Sequence, residues 1–129
     1  MKQCPCGSFL SKEMCCLPLV DGEKKARTAL SLMRSRYSAY VWSRPRYIFD
    51  TYSKEWRDRQ NIAQWLASFQ EINWEGLEIV SVFQGSANDE TGEVEFVAHY
   101  RMKGQSLTLH ERSFFQRENR DWVYVGEKT

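Results

Sequence analysis

The sequence predicts an α+β domain: helices packed on one face of a curved antiparallel sheet, behind a small cysteine-bearing N-terminal segment. Three observations predict it. All four cysteines fall between Cys4 and Cys16. Apolar residues then recur with helical spacing as far as Phe69. After Asn73 the period changes to two, and turn-forming clusters separate the runs. Helices first and strands second is the order of an α+β fold, not of alternating βα units. With 129 residues, 42% of them hydrophobic and 14% aromatic, the chain can bury a core of its own. The expected division is a metal-binding motif over 1–22 and a helix-and-sheet domain over 23–129.

The first segment reads Cys4-Pro5-Cys6, eight residues, then Cys15-Cys16. No apolar run reaches membrane-spanning length, and the N-terminus lacks the apolar stretch of a secretory signal. A cytoplasmic location with reduced thiols is therefore expected. Core packing suits this polar, Gly- and Ser-containing stretch poorly. Nucleophilic catalysis needs a base, and no histidine lies nearby. Vicinal cysteines such as Cys15-Cys16 rarely close a disulfide on each other. Four thiolates can instead close a tetrahedral Zn²⁺ site at Cys4, Cys6, Cys15 and Cys16, with Zn–S near ~2.3 Å. Four protein ligands leave no open position, so such a site is structural and not hydrolytic. Pro5 stiffens the first pair, Gly7 can turn the backbone with φ > 0, and Ser8–Met14 can form the helical turn that brings the second pair back. The alternative is a metal-free segment.

Beyond Asp21-Gly22, Leu30, Met33, Tyr37, Tyr40 and Val41 form one helical stripe, with Thr28 or Ser31 as caps. Pro45 opens a short second helix through Asp50. Glu55 to Phe69 reads as a third, with Ile62, Trp65, Leu66 and Phe69 on its inner face. Strands are expected over Leu77–Gln84, Gly92–Lys103, Ser106–Arg117 and Asp121–Gly126.

A two-residue loop at Gly104-Gln105 would set His99 opposite His110 and Ala98 opposite Glu111. The inner face is then Val94, Phe96, Ala98, Tyr100 and Met102, against Leu107, Leu109, Glu111, Ser113 and Phe115. Glu111 and Ser113 are polar residues on an apolar face. A buried carboxylate is costly unless paired or lining a cavity. Glu111 thus marks a pocket with Ser113, Tyr37, Tyr40 and Arg34, or else forms a structural ion pair with Arg34 or Arg36. The two histidines alone make a weak metal site. The side taken by Trp122 and Tyr124 depends on whether the last turn has two or three residues. Phe114, and with it Trp122 and Tyr124 in one of those cases, could furnish a dimer surface, so a monomer and a homodimer both stay open.

Net charge is only +1, which argues against a bulk nucleic-acid binder. Lys24 to Arg59 nevertheless holds ten Lys/Arg against three Asp/Glu, and Glu71 to Thr129 holds six against eleven. Arg34, Arg36, Arg44 and Arg46 alternate with Tyr37, Tyr40, Trp42 and Tyr47, a pattern able to stack on single-stranded RNA. Helical spacing turns Tyr37 and Tyr40 inward, which disfavours that reading.

Cys4-Pro5-Cys6-Gly7-Ser8 followed by Cys15-Cys16 resembles the SEC-C motif, a short zinc-binding module. The resemblance carries these four cysteines over as ligands. Typical modules continue with Gly and lysines, where this chain has Phe9-Leu10-Ser11-Lys12-Glu13. Leu32-Met33-Arg34-Ser35-Arg36-Tyr37-Ser38-Ala39-Tyr40, Gly92-Glu93-Val94-Glu95-Phe96-Val97-Ala98, and His110-Glu111-Arg112-Ser113-Phe114-Phe115 with Trp122-Val123-Tyr124 extend the likeness. Together they resemble the bacterial YchJ-like family, which joins an SEC-C module to an NTF2-like cone of helices on a bent sheet. Members commonly have Thr-Trp-His where this chain has Thr51-Tyr52-Ser53, so any role of that histidine is absent. The resemblance implies a fold and a metal motif but no reaction, and no catalytic residue is assigned. Two functions follow as expectations. In one, the zinc knuckle engages a protein partner while the cone is a scaffold or holds a small molecule. In the other, the cone is an isomerase- or dehydratase-type active site with Glu111 as base and Tyr37 or Tyr40 as hydrogen-bond donor. RNA or ribosome association is a third and less favoured reading.

Overall fold

A computed structural model of the chain describes residues 3–127. A 3-10 turn at Lys12–Met14 and a short helix α1 (Leu17–Val20) follow the first cysteines. Then come α2 (Ala29–Val41), α3 (Pro45–Asp50), α4 (Lys54–Asp58) and α5 (Ile62–Ser68). Four strands complete the chain: β1 (Asn73–Gln84), β2 (Thr91–Met102), β3 (Gln105–Glu118) and β4 (Asp121–Glu127). They form one antiparallel sheet in the order β1-β2-β3-β4. Helix-on-sheet architecture of the NTF2-like kind, with an N-terminal cysteine knuckle, is as the sequence predicts.

Helix α2 is the axis of the fold. Thr28 caps it, its Oγ1 accepting from Ser31 N at 3.0 Å, which satisfies one of the free amides at the helix start. Leu32, Met33, Ser35, Arg36, Tyr37, Ser38 and Ala39 are all buried, so it is covered on several sides. The segment expected as one helix over Glu55–Phe69 is two, broken at Arg59–Asn61. Asn61 is the reason: its side chain accepts from Gln64 N at 3.0 Å and starts α5 as a new helix.

The sheet bends where strands carry extra residues. β1 is bulged between Trp74 and Gly76 and between Ile79 and Ser81, and the β3–β4 pairing slips at Phe114/Phe115. Each bulge kinks its strand and strengthens its twist. The concave face carries Val94, Phe96, Ala98, Ser113 and Phe115, all buried.

The hairpin register differs from the expected one by two residues. Met102 pairs with Gln105, so Lys103-Gly104 is the loop. Both loop residues have positive φ, 51° and 79°, as a type I′ turn requires, and this puts Gly104 in the second turn position. Glu111 therefore faces Phe96, not Ala98, and His99 faces Thr108, not His110. A shift of two preserves which face each side chain takes, so the inner-face assignment stands. The last turn has two residues, Asn119-Arg120, with Glu118 opposite Asp121. Trp122 pairs with Arg117 and Tyr124 with Phe115, which places both on the concave side. Trp122 is buried there, its indole donating to Arg27 O at 3.1 Å, so it offers no outer dimer surface.

Candidate functional site

Two groups of side chains converge on α2. The first is the cysteine knuckle. Cys4 N donates to Leu10 O at 2.7 Å, which closes the loop between the two cysteine pairs. Gly7 turns the chain with φ 84°, and a Cβ there would lie 3.0 Å from Leu77 O, so the knuckle backbone rests directly on β1. The four sulfurs all lie within 4.8 Å of one another. Cys6 and Cys15 are 3.5 Å apart, and Cys15 and Cys16 are 3.8 Å apart. A tetrahedral metal with metal–sulfur bonds of about 2.3 Å places its sulfurs about 3.8 Å from one another, so the set fits such an ion.

The chemistry of the donors points the same way. Hydrogen bonds from the Cys16 and Cys4 thiols pull the Cys6 thiol far below its ordinary range. The neighbouring sulfurs push Cys16 far up, and burial pushes Cys15 to about 11. Without a cation these sulfurs thus compete for negative charge. A bound cation would remove that conflict, since a thiolate is the form that ligates a metal. A surrounding shell is present. Ser8 Oγ lies 3.1 Å from Cys15 Sγ, Ser38 Oγ lies 3.5 Å from Cys4 Sγ, and Arg34 Nη1 donates to Cys6 O at 2.6 Å. The polar segment suits core packing poorly, yet three of its cysteines are core residues. Cys4, Cys6 and Cys16 belong to the same buried cluster as Leu32, Met33, Tyr37, Leu77 and Phe96.

The second group lines a cavity of about 240 Å³ between α2 and the sheet. Tyr37, Tyr40, Glu111 and Ser113 are all on its wall, as the sequence suggested. Arg34 is not: its guanidinium reaches the knuckle instead, where Nη1 donates to Cys6 O. Arg36, Tyr52, Trp74 and Tyr124 also line it; the sequence offers Arg36 only as an ion-pair partner of Glu111 and assigns the other three to no pocket. Tyr124 could have been found only by knowing that the last turn has two residues. Tyr52 comes in because Ser53 N donates to Tyr124 O at 2.9 Å and so ties its loop to the free edge of β4.

Among the described residues Glu111 pairs with no guanidinium. Its Oε2 accepts from Ser113 Oγ and from Tyr124 OH, the latter at 2.8 Å. Burial, and then the Glu111 charge, hold the Tyr124 phenol well above the ordinary tyrosine range, so it stays protonated and donates. Burial likewise raises Tyr40, and raises Tyr37 to about 12. Arg36 is buried, and its Nη1 donates to Ile48 O at 2.8 Å and Thr51 Oγ1 at 2.6 Å. Its guanidinium carbon lies 4.4 Å from the Tyr52 ring centre and 4.6 Å from that of Tyr124.

The remaining candidates are dispersed. His99 contacts Glu78 at 2.8 Å, and His110 contacts Glu95 at 2.7 Å. Arg44 pairs with Asp21 at 2.9 Å and Arg46 with Asp50 at 3.1 Å. With Arg34 and Arg36 also turned inward, the four arginines line up on no common surface. Among the described residues no helix is long and apolar enough to cross a membrane.

Fold and site together define an NTF2-like domain preceded by an SEC-C-type cysteine motif. The family of the middle NTF2-like domain of YchJ matches residues 28–127, and the chain belongs to this YchJ-like family. A UPF0225 protein of Geobacter sulfurreducens is 42% identical over 125 residues, which cover 95% of this chain and 76% of that one. The solution structure of an SEC-C motif containing protein from Rhodopseudomonas palustris is similar with a TM-score of 0.84 at 31% identity, covering 98% of this chain and 97% of that one. The crystal structure of an SEC-C motif containing protein from Psychrobacter arcticus gives 0.79 at 30% identity, covering 97% and 81%.

Proposed function

We propose that this is a cytoplasmic small-molecule-binding protein whose ligand occupies the cavity between α2 and the sheet. One observation carries the reading. Glu111, a carboxylate on an apolar face, is held by two neutral hydroxyls beside a cavity and not neutralised by a helix arginine. A purely structural role would favour the ion pair, whereas a recognition group keeps its charge available. A thermal-shift screen should give ligands that raise the melting temperature of the wild-type chain and lose that effect in Glu111→Gln. A folded wild type that no compound stabilises would remove the reading.

Cys4, Cys6, Cys15 and Cys16 would bind one Zn²⁺ in a structural role, cross-linking the knuckle to the body. Elemental analysis should return about one zinc per chain, lost in Cys15→Ser. Protein-partner binding through the knuckle is supported by Phe9 and Met14, which are 78% and 76% exposed on its outer side. An enzymatic reading draws on the Glu111–Tyr124 pair, a carboxylate and a phenol sharing a hydrogen bond in a cavity. Turnover of a cavity ligand, abolished in Tyr124→Phe with binding retained, would establish it.

A further inference from the structure

The charges in the cavity specify what class of ligand it takes. Arg36 is only 6% exposed. A guanidinium has five N–H donors, and Nη1 serves the two acceptors Ile48 O and Thr51 Oγ1. Among the described residues, Nε and Nη2 have no protein acceptor. No fully buried side-chain nitrogen or oxygen lacks a partner either, so these donors open onto the cavity that Arg36 lines. Glu111 is the mirror case. Oε2 takes both hydroxyl donors, and Oε1 has no protein donor among the described residues. Arg36 and Glu111 both act on the phenols of Tyr40 and Tyr124, Arg36 lowering and Glu111 raising them. One cavity therefore holds a buried cation with unused donors and a carboxylate with an unused acceptor oxygen, with aromatic rings between.

We propose, on the reading that this cavity is the ligand site, that it takes a small aromatic carboxylate with a polar hydrogen at its far end. The carboxylate meets Arg36 Nε and Nη2, and the distal O–H or N–H donates to Glu111 Oε1. The ring packs against Tyr40 and Trp74. An organic cation is disfavoured because the Tyr52 and Tyr124 faces already carry the Arg36 guanidinium. An anion lacking the distal hydrogen would bring a bare acceptor against a carboxylate. The volume, about 240 Å³, admits one ring with a short arm.

The test uses the full chain and four probes: 4-hydroxyphenylacetate, 4-methoxyphenylacetate, tyramine and p-cresol. Titration followed by tryptophan fluorescence and calorimetry should show 4-hydroxyphenylacetate binding about tenfold or more tighter than both its methoxy analogue and tyramine. Glu111→Gln should erase most of the hydroxy-over-methoxy preference, and Arg36→Lys should weaken both acetates while sparing p-cresol. Should Arg36→Lys fail to fold, the wild-type Arg36 Nε–H resonance decides the point. It shifts with 4-hydroxyphenylacetate and not with p-cresol if the carboxylate sits there. Tightest binding by tyramine, or equal binding of the hydroxy and methoxy compounds, overturns the ligand class while leaving a ligand cavity. Failure of all four probes to bind the folded wild type overturns the class as well; only a negative compound screen would then remove the cavity reading itself.

Discussion

Arg34 and Arg36 leave the same helix two residues apart and enter different chemistry. Arg34 reaches the knuckle backbone at Cys6 O. Arg36 turns into the sheet cavity between Tyr52 and Tyr124. In the knuckle, four like donors surround one point, and a four-ligand ion leaves nothing free to react. In the cavity, unlike groups face an open volume with hydrogen-bonding capacity left over. Convergence alone therefore does not make a binding site. What matters is whether the converging groups saturate one another.

The largest perturbation should test whether these regions are energetically separate. Cys6→Ser is expected to abolish metal binding and cost on the order of 5 kcal/mol, enough to threaten a marginally stable domain. Because Cys6 lies in the same buried cluster as Phe96 and Phe115, amide exchange in β2 and β3 should speed up too. Protection lost only over residues 3–22 would show that the knuckle is an independent lobe. A smaller effect is expected at the cavity. Tyr124→Phe removes one of two donors to Glu111 Oε2 and should cost about 1–3 kcal/mol in denaturant unfolding. Metal content should be unchanged, and a loss of metal would mean the two regions are coupled.

Alkaline titration probes the buried phenols without mutation. Tyr37, Tyr40, Tyr47 and Tyr124 all have folded pKa values raised above the ordinary value of 10.0, so the folded state holds protons that the unfolded state releases. Their contribution to stability is complete below about pH 10 and is lost as pH rises from there through about 12, the value reached by Tyr37. Absorbance near 295 nm should show these phenols ionising later than free tyrosine, together with unfolding. The smallest expected change is Lys54→Ala, which removes an exposed pair with Asp58 and should shift stability by about 0.3 kcal/mol or less. A larger shift would place α4 among the elements that hold the cavity wall.

The sequence by itself determined what rests on local pattern. The change of period at Asn73 announced helices before strands, and the spacing of Cys4, Cys6, Cys15 and Cys16 announced a four-sulfur cluster. Alternation along β2 and β3 put Glu111 and Ser113 on the inner face whatever the register, since a slip of two keeps every side chain on its side. Only the tertiary structure decided which groups meet across the cavity. Tyr124 depends on the length of one turn, Tyr52 on a loop bonded to the edge of β4, and Arg36 on the rotation of α2 about its axis. These are sums of small geometric steps between residues distant in the chain, and no local spacing encodes them. For the same reason the sequence left open both a pocket and an ion pair at Glu111; among the described residues no arginine pairs with it, and the carboxylate is held by hydroxyls beside an open cavity.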